Sequence, residues 1–166
     1  MSDLPKICGS VSATLGDAVS RPPSDGESFV HVAREFWQSA HALAELESAH
    51  SRSCTLLAAQ ALEGALKALL WTAGKTTQEL RQARFGHNLE VLWREAARSG
   101  VDLPASPPDW CLELDRLHAA PFVLRYPSGH NGLVTPNARQ TLLDVGHVLS
   151  RAEDSVKTST RRDTGA

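Results

Sequence analysis

The sequence predicts an all-α domain, an antiparallel up-and-down bundle of four to five helices spanning residues 27–157. Three observations lead there. Apolar residues recur at helical spacing in five separate segments, and no segment shows convincing strand alternation. Proline clusters punctuate the chain between those segments. The connections are short, which favours sequential helices that turn back on one another.

The first helix is expected from about Glu27 to Ser48. Val30, Ala33, Phe36, Trp37, Ala40, Leu43 and Ala44 make one apolar stripe, with Arg34, Gln38, His41 and Glu45 opposite. The second, from about Arg52 to Ala73, is apolar over more than half of its circumference through its leucines and alanines. Such a helix needs neighbours on several sides and belongs at the centre. Only Gln60, Glu63, Gly64 and Lys67 give it a narrow polar stripe, and Gly74 suits its C-terminal cap. Residues 75–85 leave room for one extra helical turn. The third helix opens at His87-Asn88, where Asn88 can accept from free first-turn amides, and closes at Gly100. Ser106-Pro107 followed by Asp109 signals the start of a fourth, with Trp110, Leu114 and Leu117 inward and Pro121 ending it. Residues 122–135 read as a loop. The fifth helix begins at Pro136 and turns Ala138, Leu142, Val145, Leu149, Ala152 and Val156 to one side. Residues 1–26 and 158–166 read as loosely held tails.

A length of 166 residues fits one domain, and a hydrophobic fraction of 42% supplies a core without disulfide or cofactor help. The formal charge of −2 excludes a global electrostatic attraction to nucleic acid, so any such contact is local. Cys8, Cys54 and Cys111 are widely spaced and include no C-x-x-C pair, which points to a reducing cytoplasm and away from a zinc site. No apolar run reaches the roughly 18–20 residues a membrane span needs, and no export signal opens the chain. No metal or other cofactor is expected, because the histidines other than His87 and His130 show no ligand spacing with acids or cysteines.

Four stretches carry a family resemblance. They are Ala33-x-x-Phe36-Trp37-x-x-Ala40-x-x-Leu43, then Ala61-Leu62-Glu63-Gly64-Ala65-Leu66-Lys67-Ala68-Leu69-Leu70 with Gly74, then Gly86-His87-Asn88-Leu89, and Arg125-Tyr126-Pro127 before the last helix. In this order they resemble the HEPN family, small bacterial helical domains that also occur with nucleotidyltransferases. The resemblance implies a homodimer. It also implies, for many members, metal-independent ribonuclease or toxin activity marked by an Arg followed four to six residues later by a His. Arg125 and His130 have that spacing.

The chemistry suits the residue types. Metal-free RNA cleavage needs a base for the 2′-hydroxyl, an acid for the leaving oxygen and a cation for the phosphate. Histidine titrates in the useful range, and the arginine fork donates two hydrogen bonds to phosphate. Against this, Pro127 and Gly129 lie between Arg125 and His130 and oppose the continuous helix on which the family's nucleases carry the pair. The alternative is that Arg125 bonds carbonyls or acids, Tyr126-Pro127 packs on the bundle, and His130 is solvated. For Glu63 and Lys67 a solvent-facing ion pair is the favoured reading, with a polar seam in a groove or dimer interface as the other. His87 and Asn88 are expected to cap a helix. Gln60, Glu63, Lys67, His87, Asn88 and Tyr126 form the candidate binding or interface set, and Arg125 and His130 the candidate catalytic pair.

The preferred function is therefore a homodimeric module binding nucleotide, RNA or a partner protein, with catalysis not required. The runner-up is a metal-independent endoribonuclease of the toxin–antitoxin or phage-defence kind. A third reading is a helical subunit docking on a separate nucleotidyltransferase.

Overall fold

A computed structural model describes residues 23–46, 50–126 and 132–164. These form α1 (Asp25–Ala44), α2 (Ser51–Thr72), α3 (Thr77–Leu80), α4 (Leu89–Arg98), α5 (Asp109–His118) and α6 (Ala138–Thr164), with no strand among the described residues.

The helix expected first starts inside the segment expected to be a tail. Ser24 caps α1 by accepting from the Glu27 amide, and the Glu27 carboxylate returns to the Ser24 amide at 2.7 Å. This reciprocal cap satisfies amides that the first turn leaves unpaired. At the other end α6 continues through Thr164, past the expected tail start at Thr158. The extra turn between α2 and α4 is present as α3, capped in the same reciprocal way by Thr76 and Glu79.

α2 is the centre, as its apolar circumference requires. Leu62, Leu66, Leu69 and Leu70 are fully buried, and the helix packs against α1, α4, α5 and α6. α1 runs antiparallel to it. Gly26, at the start of α1, lies against the Trp71 ring near the end of α2, while the Cys54 thiol at the start of α2 donates to the Ala40 carbonyl late in α1. Gly64 permits the closest approach, since a Cβ there would stand 2.9 Å from the Ala33 Cβ and 3.2 Å from the Phe29 carbonyl. α6 runs antiparallel to α1, tied by the Trp37 indole donating to the Leu142 carbonyl and by an Arg34–Glu153 ion pair.

After α2 the chain doubles back through α3 and the buried Phe85, which returns His87 to the middle of α2. α4 and α5 then form an antiparallel pair, with Trp93 set edge-on to Trp110 at 5.7 Å. The expected start of α5 needs correction. Pro108 forces Pro107 out of helical geometry, because a residue before proline clashes in the α region. The helix accordingly starts at Asp109, with Pro108 in the cap position and no side-chain cap bond from Ser106. Its inner face also differs. Cys111, Leu114 and His118 are buried, whereas Trp110 and Leu117 are half-buried. No helix among the described residues is long and apolar enough to cross a membrane.

Candidate functional site

The polar stripe of α2 does not face solvent. The end of α5, His87 in the segment before α4 and the turn after α5 close over it. Glu63 is only 7% exposed, which corrects the expectation of a solvent-facing ion pair. Its Oε1 accepts from the Lys67 ammonium at 2.6 Å, one turn along the same helix. Its Oε2 meets His87 Nδ1 at 2.9 Å and His118 Nε2 at 2.8 Å.

Burial alone would push the Glu63 carboxyl up. The hydrogen bond from His118, the charge of Lys67 and the bonds from Lys67 and His87 outweigh it and bring the group down to about 2. An ionised carboxylate only accepts, so the two imidazole nitrogens that meet it each carry a hydrogen. His118 therefore donates through Nε2 to Glu63, and its buried Nδ1 has no hydrogen-bond partner among the described residues. His87 likewise donates through Nδ1.

Two left-handed residues shape the cluster. His87 has φ 57° and Phe122 has φ 61°, and their rings meet edge-on at 5.7 Å. An L-residue in this region costs on the order of 1–2 kcal/mol, more awkwardly for a bulky side chain, so surrounding contacts must hold each in place. His87 is held by Glu63, and by α4, which starts two residues later. Asn88 caps that helix by accepting from the Val91 amide at 2.9 Å, as expected. Asp115, on α5, accepts from the Leu89 and Glu90 amides at 2.6 and 3.2 Å. Its charge is thus committed to the start of α4.

Arg125 completes the group. A turn places its amide 2.9 Å from the Phe122 carbonyl. Its guanidinium lies along the His87 ring, with Nη1 3.4 Å from Nε2 and Nη2 3.3 Å from Nδ1. Because Nδ1 is a donor to Glu63, only Nε2 can accept from Arg125, and at that length weakly. The Phe122 ring lies 5.7 Å from the guanidinium. Among the described residues no carboxylate pairs with Arg125.

The other predicted residues are distributed around this core. Gln60 is half-buried a turn before Glu63 and joins none of these bonds. Tyr126 is 64% exposed, its ring edge-on to Phe122 at 6.5 Å. His130 lies outside the described residues, as does Cys8. Of the arginines near α4, Arg94 pairs with Glu90, and Arg84 lies over the Phe85 ring. The Cys111 thiol is buried, and burial pushes it up to about 12, which disfavours the thiolate.

His118, Phe122 and Asp115 were not singled out from the sequence. For His118 a signal existed, since Cys111, Leu114 and His118 share one face of α5 at helical spacing. A histidine on an apolar face calls for a buried partner.

Glu63, His87 and His118 offer three ligand atoms within 4.8 Å of one another, a set that a divalent cation can use. Two features of the same residues weigh toward an anion instead. Arg125 lies against the His87 ring with no carboxylate partner among the described residues, while Glu63 already accepts from Lys67, His87 and His118. The second nitrogen of His118 also lacks, among the described residues, the acceptor that a metal-bound histidine ordinarily donates to.

No curated protein and no solved structure matches the chain. The family model of the HEPN domain matches residues 27–161, from the first turn of α1 into the last turns of α6. The chain belongs to the HEPN domain family.

Proposed function

We propose that this HEPN domain binds the phosphate of a nucleotide or RNA, with Arg125 as the contacting cation and His87 beside it, and works as a homodimer. One observation carries the reading. Among the described residues Arg125 lies against an aromatic and an imidazole rather than an acid, and its fork suits a planar oxyanion. Glu63 serves this site from below. It accepts from the His87 ring and offsets Lys67, leaving Arg125 as the cation that Glu63 does not engage.

The test is fluorescence-polarisation binding of short labelled single-stranded RNAs and of nucleoside triphosphates at fixed salt. Arg125→Ala is expected to weaken binding about ten- to a hundred-fold, the scale of a lost charge-assisted contact. Wild-type and Arg125→Ala proteins binding equally, or neither binding, would remove the proposal. Sedimentation equilibrium reads the dimer in the same samples.

A second reading, metal-independent RNA cleavage by Arg125 and His130, is favoured by one feature. Arg125, the cation of the Arg–His spacing, stands beside the His87 ring, a second imidazole next to where the phosphate would sit. It requires cleavage that persists in EDTA and is lost in both Arg125→Ala and His130→Ala. Intact RNA after prolonged incubation with clean protein ends this reading and leaves the binding role.

A further inference from the structure

We propose that the bound phosphate belongs to an unpaired nucleotide whose base stacks on Tyr126, the exposed ring next to Arg125. This rests on the phosphate role of Arg125 and adds what reads the rest of the ligand.

Tyr126 is the chain's single tyrosine, and it is 64% exposed in a molecule whose other aromatics are mostly covered. Its backbone is tied into the turn and its ring borders Phe122. The Tyr126 amide donates to the Phe122 carbonyl at 2.9 Å, closing the same turn as Arg125. Phe122 braces the ring edge-on at 6.5 Å, and Phe122 is in turn locked against His87. Both side chains border the same ring: the Arg125 guanidinium lies 5.7 Å from the Phe122 centroid and the Tyr126 ring 6.5 Å from it, so the turn offers a cation and an open aromatic around one Phe.

The chemistry of the pair selects the ligand. A bare phosphate uses only Arg125 and leaves the ring in water. A protein acid likewise has nothing to stack. A base in a duplex hides its face between neighbours, whereas an unpaired base exposes it for stacking on an aromatic side chain. The charge of the whole chain is −2, so recognition has to be local, and a one-nucleotide contact of this kind is local.

The experiment compares three probes on the full chain: a single-stranded oligouridylate, an abasic ribose-phosphate oligomer of the same length, and a duplex RNA. Tyr126→Ala is expected to weaken the oligouridylate about 5- to 100-fold, Tyr126→Trp to retain it, and neither to change the abasic oligomer. Arg125→Ala is expected to weaken both single strands. With 4-thiouridine in the probe, ultraviolet crosslinking is expected to map to the peptide holding Tyr126. If Tyr126→Ala leaves the oligouridylate unchanged while Arg125→Ala weakens it, stacking is wrong and the phosphate role stands. If the duplex binds as tightly as the single strand and with equal dependence on Tyr126, stacking is also wrong. If no probe binds, the phosphate role itself falls, and this inference falls with it. A Tyr126→Ala protein that changes only its oligomeric state makes the ring a subunit contact and overturns the inference.

Discussion

His118 and Glu63 are 55 residues apart in the chain, yet His118 Nε2 lies 2.8 Å from the Glu63 carboxylate inside the bundle. This contact ties the end of α5 to the middle of α2. It also makes Glu63 the shared acceptor of three donors on three segments. The fold's centre and its candidate site are therefore the same piece of helix.

Removing that acceptor should be costly. Glu63→Gln keeps the shape but leaves Lys67 without its counter-charge and turns amide hydrogens toward donors. A loss of about 3–5 kcal/mol is expected, the scale for breaking a buried pair on one side. Urea unfolding reads it, and Gln60→Ala, outside the network, should change stability by less than about 0.5 kcal/mol. A Glu63→Gln protein as stable as wild type would mean that the carboxylate is not the keystone described.

The same group sets a pH dependence. The folded state holds Glu63 at about 2, below its ordinary 4.5. Its contribution is therefore fully present above pH 4.5 and is lost as pH falls from there toward 2. The full amount is roughly 3 kcal/mol at 1.36 kcal/mol per tenfold change in acidity. Other carboxylates also titrate in this range, so the comparison is between wild type and Glu63→Gln across pH 5 to 2.5. The stability gap between the two proteins should narrow as acid is added; a constant gap contradicts the assignment.

Gly64 offers a packing test beside the site. Alanine there would bring its Cβ to 2.9 Å from Ala33, in a contact between two helix backbones that has no flexible side chain to yield. Overpacking of this kind costs about 1–3 kcal/mol despite alanine's better helix propensity. A raised melting temperature for Gly64→Ala would show that α1 and α2 are less closely packed than described.

Asp115 should protect particular amides. In Asp115→Ala, hydrogen exchange is expected to speed up at Leu89 and Glu90 and not at Val91, whose partner is Asn88. Stability should drop by about 0.5–2 kcal/mol, as for other lost caps. Uniform acceleration along α4, or none, would argue against this division of labour.

The bundle was legible because its signal is local. Helical spacing and the excess of apolar residues on α2 are properties of neighbouring residues, and they marked the central helix and the Asn88 cap. The site was only half legible. Glu63, Lys67, His87 and Arg125 came forward, but as separate features with separate readings. What joins them is the return leg after α2 and the turn after α5, and neither has a periodicity to read. The closing of these segments over Glu63 turned an expected surface ion pair into a buried one. The expected inner face of α5, Trp110, Leu114 and Leu117, leaves His118 off it; Leu114 is indeed buried, but Trp110 and Leu117 sit at the rim and Cys111 and His118 take the inward positions. The start of α5 was misplaced for a simpler reason, the effect of Pro108 on Pro107.

The most direct measurement is a titration of the histidine ring resonances with a short single-stranded RNA, using imidazole-labelled protein in heteronuclear NMR. The His87 ring, beside Arg125, should shift saturably, and Arg125→Ala should abolish the shift. The His118 ring, buried behind Glu63, should move far less. Unperturbed His87 resonances at saturating RNA, or shifts confined to histidines elsewhere on the bundle, would contradict a phosphate site at Arg125 and His87.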